Sequence, residues 1–212
     1  MALKPLCEHQ GIVVPFDRYN IDTDAILPKQ YLKKLEADGF GGYLFDDERY
    51  LDKGDVDIPV DSRRVNPQFI LNQQPYDKAT VILARDNFGC GSSREHAVWA
   101  IRDYGIRFLV APSYGDIFRN NCFNNGVLAI IQPRTVVDYL FTCAHNNPGM
   151  QLSVNVSKRR LSLGDEHWHF ELDDGRAEAL MKGLDEVGLT LERSESIKEY
   201  ERKRKQLEPW LF

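Results

Sequence analysis

The sequence predicts an α/β fold, a mixed sheet with flanking helices and a helical C-terminus. Three observations carry this prediction. A β-branched run, a helix-spaced segment and a second apolar run follow one another over residues 80–111, which is a βαβ unit with parallel strands. A further buried-type strand lies at 126–131. Three short alternating strands between 152 and 172 then precede two helical stretches, so an antiparallel sheet is joined to the parallel one.

In chain order, Gly11-Ile12-Val13-Val14-Pro15-Phe16 reads as the first strand and Asp22-Thr23-Asp24 as a turn. Pro28 opens a short helix to Glu36, because its fixed φ suits a first helical position. Residues 38–79 carry Gly39, Gly41, Gly42, Gly54, Pro59, Pro67, Pro75 and the acidic run Asp46-Asp47-Glu48, and are expected to wander over the surface and to move. Thr80–Arg85 is a strand. Arg94–Tyr104 is a helix with Ala97, Val98, Ala100 and Ile101 on its apolar face, broken by Gly105, and Ile106–Ala111 is the next strand. Gly126–Ile131 follows, then a helix from Pro133 to Ala144 ended by Asn146-Asn147-Pro148-Gly149. Leu152–Val156, Arg160–Leu163 and His167–Leu172 form the small antiparallel sheet, and helices at Arg176–Val187 and Ser194–Leu207 close the chain. No repeat, low-complexity tract or linker interrupts it, so residues 1–212 are expected to form a single domain with a C-terminal helical extension. At this length roughly 70% of the unfolded surface is buried on folding, enough for a full core.

Composition excludes several classes. The formal charge of −5 offers no basic footprint, and the positive run Lys198–Lys205 is interleaved with Glu199 and Glu201 on a solvated helix, so no nucleic-acid partner is expected. No apolar stretch reaches the roughly 18 residues of a membrane span, and Met1–Cys7 has no secretory apolar region, so a cytoplasmic protein is expected. The four cysteines, Cys7, Cys90, Cys122 and Cys143, are scattered without metal-site spacing and give no ligand set for a metal or an iron–sulfur cluster. His167 and His169 share one face of a strand, more simply a solvent-facing surface than a metal site, and His96 beside Ala97 and Trp99 reads as a packing histidine.

The chemistry is concentrated between the first strand of the βαβ unit and its helix, in Gly89-Cys90-Gly91-Ser92-Ser93-Arg94-Glu95-His96-Ala97. Ligands of parallel sheets collect at the carboxyl ends of strands, facing helix N-termini. Glycines let the backbone approach a ligand, and the guanidinium of Arg94 forks onto a carboxylate through two parallel hydrogen bonds. Donors and positive charge there would also stabilise a Ser92 alkoxide, making Ser92 a candidate base. The same letters admit a plainer reading, since Ser92 with Glu95 three positions on fits the S-x-x-E capping box. A nucleophile elbow is excluded because Ser93 and Arg94 follow Ser92, and a phosphate loop lacks its lysine. Cys90 reads as a small residue filling the turn rather than a reactive thiol. Thr23 and Asp24 are residues that often satisfy backbone donors in turns with no further role.

The string Asn87–Ala97 resembles the signature of the aconitase superfamily's swivelling domain, in the form of the small subunits of 3-isopropylmalate dehydratases. Asn20-Ile21-Asp22-Thr23-Asp24-Ala25-Ile26-Leu27-Pro28 is similar to the family's other hallmark. Ala111–Phe118 with Asn120, Asn121 and Phe123-Asn124-Asn125-Gly126 is similar to a third, and Gly183–Leu191 has the family's look. The resemblance implies a swivelling β/β/α domain and a heteromeric hydro-lyase that interconverts 2-isopropylmalate and 3-isopropylmalate by dehydration and rehydration in leucine biosynthesis. It implies a large-subunit partner holding a 4Fe-4S cluster, whose open iron acts as a Lewis acid on the departing hydroxyl, with no cofactor on this chain. Ser92 would then be the general base, Ser93 and Arg94 would bind a carboxylate of a small dicarboxylate substrate, and Thr23 and Asp24 would support them. Lys29, Gln30, Tyr31, Leu32 and Lys33 would form a substrate-recognition loop, with Tyr31 and Leu32 equally readable as core anchors. Ala25 stands where aconitase carries a histidine, so that imidazole's role is not carried over. A homoaconitase-like or citraconate/dimethylmaleate hydratase small subunit would share these motifs, and a non-catalytic anion-binding regulatory module would use the same helix terminus.

Overall fold

Successive side chains of a strand point to opposite faces, so a strand buried throughout must be covered on both sides. The computed structural model, which describes residues 3–211, meets that requirement. Its strands are β1 (Glu8–Phe16), β2 (Val81–Ala84), β3 (Phe108–Ala111), β4 (Leu128–Ile131), β5 (Gln151–Asn155), β6 (Arg160–Leu163) and β7 (Glu166–His169), in the spatial order β4-β3-β2-β1-β5-β6-β7. β1 to β4 run parallel, and β5, β6 and β7 pair antiparallel outward from β1. β1 joins the two halves: its first residues, Glu8–Ile12, pair with β5 and its last, Val13–Phe16, with β2. The expected mixed sheet is therefore present.

The helices are α1 (Thr23–Ile26), α2 (Asp46–Arg49), α3 (His96–Tyr104), α4 (Asp116–Asn124), α5 (Arg134–Asn146), α6 (Asp174–Lys182), α7 (Glu186–Leu191) and α8 (Ser194–Leu207). Val81 and Leu83 of β2 share a core with Val137, Leu140 and Phe141 of α5 and with Leu180 of α6. Ile82 and Ala84 face the other way, onto Val98 and Ile101 of α3 and Phe118 and Cys122 of α4. Full burial of one such aliphatic or aromatic side chain stabilises by roughly 1.5–3 kcal/mol, which fixes the register of the central strands. α7 and α8 bury no residue, and among the described residues no helix is long and apolar enough to cross a membrane.

Three expectations are corrected and one helix is unforeseen. The segment expected to be helical from Pro28 to Glu36 is a 3-10 turn at Lys29–Lys33, held by burial of Tyr31. Residues 38–79 contain no strand, as expected, but they do not wander over the surface. Phe40, Leu44, Phe45, Phe69 and Leu71 are buried in the core. Arg63 and Asp46, 2% and 1% exposed, form a forked ion pair at 2.7 and 2.8 Å, with the Arg63 guanidinium 4.0 Å over the Tyr50 ring. α4 forms where the sequence signals only a motif: its Asp-Ile-Phe-Arg-Asn-Asn-Cys-Phe-Asn is polar and Asn-rich, poor helix material, and burial of Phe118 and Cys122 overrides that preference. The expected helix Arg176–Val187 is split by Gly183, whose φ of 68° ends α6 in a left-handed cap before α7 begins.

Candidate active site

Three loops leave the carboxyl ends of β1, β2 and β3, and their backbones continue the sheet's pairing beyond the strands. Asp22 pairs with Cys90 and Phe88 with Tyr114 as isolated parallel bridges. The Gly89 amide donates to the Ile21 carbonyl at 2.7 Å, the Thr23 amide to the Cys90 carbonyl at 2.9 Å, and the Gly115 amide to the Phe88 carbonyl at 3.0 Å. The three motifs, far apart in sequence, are thus one hydrogen-bonded layer. Asn87, Gly89 and Gly91 adopt φ of 61°, 71° and 91°. Alternate left-handed residues coil the middle loop tightly enough to lie between its neighbours. Asn87 is tolerated in this region because its amide donates to Asn20 Oδ1 at 2.8 Å, a lock that asparagine's known tolerance of positive φ hinted at but sequence alone did not place.

Gly89 has a second reason to be glycine, since a Cβ there would stand 2.2 Å from the Phe118 ring. Gly89→Ala is expected to cost about 2–4 kcal/mol by combining backbone strain with overpacking. Gly91→Ala, whose Cβ would meet nothing nearer than 3.4 Å, should cost only the strain, about 1–2 kcal/mol. Urea unfolding of both variants checks the order, and equal losses would show that the Phe118 contact is irrelevant.

This layer brings Ser92, Arg94, Thr23, Asp24 and Lys29 together. Thr23, 2% exposed, donates its hydroxyl to the Ser92 carbonyl at 3.0 Å and so ties the serine loop to α1. Arg94 donates Nε to Ser92 Oγ at 2.5 Å and Nη2 to Asp24 Oδ1, while its buried Nη1 has no partner among the described residues. Lys29 Nζ stands 3.7 Å from the other oxygen of Asp24, so two cations share one carboxylate. Ser92 and Ser93 are exposed and open outward.

The capping-box reading of Ser92 fails on this geometry. α3 begins at His96, its cap position is Glu95, and no side chain caps it. The Ser92 hydroxyl is engaged by Arg94, and Glu95 accepts from Asn125 Nδ2 at 2.6 Å instead of reaching back. The recognition segment is also redistributed. Tyr31 is wholly buried, stacked on Tyr43 at 4.0 Å with its hydroxyl against Arg63, and so serves as a core anchor. Burial, then the hydrogen bond to Asp46, raises its phenol well above the ordinary range. Gln30 faces Asp47 at 3.4 Å, Lys33 pairs with Asp55 at 2.8 Å and Leu32 is half-buried, which leaves Lys29 as the member that reaches the Ser92 cluster.

The other titratable groups fall into place as packing. Burial holds the His96 imidazole below its ordinary value, and the ring packs edge-on against Phe40 at 5.6 Å and beside Trp99 at 4.5 Å. Burial, with Asp22 nearby, pushes the Cys90 thiol up, as suits a residue that fills the turn. Among the described residues no group of three or more His, Cys, Asp or Glu side chains could hold a metal ion, and the cysteines range from exposed Cys7 to buried Cys122. The donor set of this chain does not fit an iron–sulfur cluster.

A mixed sheet whose post-strand loops gather a Ser-Ser-Arg turn against an Asp-Thr-Asp turn defines an aconitase-type C-terminal, or swivelling, domain, and the family model described as "Aconitase C-terminal domain" matches residues 3–135. A second model, which describes the C-terminal domain of the 3-isopropylmalate dehydratase small subunit, matches residues 186–212. The small subunit of 3-isopropylmalate dehydratase from Marinobacter nauticus is 50% identical over 211 residues, 99% of this chain and 98% of the relative, and that of Hahella chejuensis is 48% identical with the same coverage. The chain belongs to the 3-isopropylmalate dehydratase small-subunit family, a family of hydro-lyase subunits. The crystal structure of 3-isopropylmalate dehydratase (leuD) from Methanocaldococcus jannaschii shares the fold, with a TM-score of 0.63 over 91% of this chain and 99% of that one at 22% identity.

Proposed function

We propose that this chain provides the base and the carboxylate-binding half of a shared active site that interconverts 2-isopropylmalate and 3-isopropylmalate in leucine biosynthesis, with a large, cluster-binding subunit as its partner. The observation that carries this reading is Arg94, which bridges Ser92 Oγ and Asp24 at the carboxyl end of the parallel strands. A guanidinium donor held on the serine oxygen favours the alkoxide, the form able to take a proton from carbon. Ser92 takes that proton, the electron pair forms the carbon–carbon double bond, and the hydroxyl of the adjacent carbon departs with its bonding pair as hydroxide, for which the partner's cluster would supply the Lewis acid. In rehydration the hydroxide adds to the carbon that lost the proton and Ser92 returns that proton to the other carbon. Arg94 exchanges Asp24 for a substrate carboxylate, helped by Ser93, and Lys29 then balances the released Asp24, which it already approaches at 3.7 Å. Thr23 keeps the serine loop at the correct height through its bond to the Ser92 carbonyl.

The Lewis-acid chemistry is left to the partner's cluster, because this chain's donors do not assemble a site for it. The test is anaerobic reconstitution with the large subunit, followed by assays of several 2-hydroxy dicarboxylic acids. Isopropylmalates are expected to turn over fastest. Preference for homocitrate-like acids or citramalate would move the assignment to a neighbouring substrate class. The full chain purified alone with iron and sulfide should be colourless and inactive, and a stoichiometric cluster absorbance from it would overturn the division of labour.

A further inference from the structure

At the opposite end of the parallel strands from Ser92, where those strands begin, lies a second concentration of charge. A cavity of about 290 Å³ there is lined by Lys4, His9, Thr80, Arg102, Arg107 and Asn125, together with Leu3 and Gly105, and by no aspartate or glutamate. In a chain of net charge −5 a cavity lined only by cationic and neutral groups is unusual. Arg102 is already neutralised by Asp103 at 2.8 Å. Arg107 is not. It is half-buried, its Nη2 donates only to the carbonyls of Lys4 and Pro5 at 2.8 and 3.2 Å, and no carboxylate pairs with it among the described residues. Buried charges are normally paired, because an uncompensated ion loses hydration without return. His9 is fixed beside it by a 2.8 Å hydrogen bond between Nε2 and Thr80 Oγ1.

We propose that this cavity is a binding site for a compact anion with two or more acceptor oxygens, a phosphate or a small carboxylate, held by Arg107 and Lys4 with Thr80 and His9 around it. Its volume lies at the small end of ligand pockets, which run from about 300 to 1,000 Å³, and so suits an ion rather than a nucleotide. Arg107 brings a planar donor fork and Lys4 a point charge, a combination that matches carboxylate or phosphate oxygens. The fields already act on His9: burial first, then Arg107 and Lys4, hold its imidazole below the ordinary value, and burial alone depresses the Arg107 guanidinium. A bound anion would offset the repulsion that Arg107 and Lys4 exert on His9. The site shares no residue with the Ser92 cluster and stands whether or not the proposed reaction does.

The test is NMR observation of the His9 imidazole in the full chain, assigned with His9→Gln. Inorganic phosphate and malonate are titrated separately at constant ionic strength, with chloride making up the balance. Saturable shifts, a higher His9 titration midpoint and weakening by about 10- to 100-fold in Arg107→Gln are expected. Lys4→Gln, on an exposed side chain that leaves folding untouched, should weaken binding by a smaller factor. Saturation by phosphate alone or by malonate alone identifies which oxyanion the cavity prefers. Shifts no larger than those caused by chloride, or equal affinity in Lys4→Gln and the unaltered chain, would overturn the proposal.

Discussion

Ser92→Ala is expected to lower turnover of the reconstituted enzyme by about 10²- to 10⁴-fold, the usual contribution of a positioned general base, with substrate affinity and subunit association kept. Stability should fall by no more than about 0.5–1.5 kcal/mol, the net contribution of the one hydrogen bond that Ser92 Oγ accepts from Arg94. The second half of this expectation follows from geometry. A helix-capping serine would cost about 0.5–2 kcal/mol on truncation. Here the hydroxyl caps nothing: α3 starts at His96 with no side-chain cap, and Ser92 Oγ only accepts from Arg94. Measuring kcat, KM and melting temperature on one preparation separates the roles. Near-normal turnover would sink the base assignment.

Why the capping box misled is instructive. Ser92 and Glu95 have the right spacing, but Ser92 is engaged by Arg94, which a distant residue holds in place, and Glu95 by a distant partner of its own. Arg94 reaches Asp24, 70 residues earlier, and Glu95 reaches Asn125, 30 residues later. Those bonds hold the chain in an irregular path through Ser92 and Ser93 and delay the helix. Periodicity, by contrast, is a local signal enforced by burial, which is why β2, α3, β3 and β4 were legible to within two residues. α4 lacked that signal because its surface is asparagine-rich, and the same polarity lets Asn125 bond Glu95 and Asn120 bond Arg176. The pair Asp46–Arg63 was hidden for a third reason. It joins two charges across a Gly- and Pro-rich stretch where charge alone implies exposure, and only the surrounding Tyr31 and Tyr50 make its burial tolerable.

The candidate site was legible as a set of motifs and not as an arrangement. The motifs point to Ser92, Ser93, Arg94, Thr23 and Asp24, and four of these prove to be joined by direct bonds. The order of those bonds was not readable: that Arg94 turns its Nε to the serine changes its expected role from carboxylate clamp to clamp and activator together. Of residues 29–33, Tyr31 is spent on the core and Lys29 on Asp24, which leaves fewer side chains free for the recognition role expected of the segment.

Arg94→Lys tests that double role. Lysine keeps the charge but offers one nitrogen, which cannot hold Ser92 Oγ and a carboxylate in the plane that a guanidinium defines. Losing one or two charge-assisted hydrogen bonds at about 1.5–3 kcal/mol each lowers kcat/KM by about one to four decades. A pure carboxylate clamp would lose this through KM with kcat kept, whereas a guanidinium that also stabilises the serine alkoxide must lower kcat as well. The structure therefore predicts a fall in both. Asp24→Asn provides the cross-check, since Asp24 touches the serine only through Arg94. If Asp24 acts by positioning the guanidinium, the double variant should lose much less than the product of the two single effects. Fully multiplicative losses would show that Asp24 works independently of Arg94, and an unchanged kcat in Arg94→Lys would remove the activating bond from the mechanism.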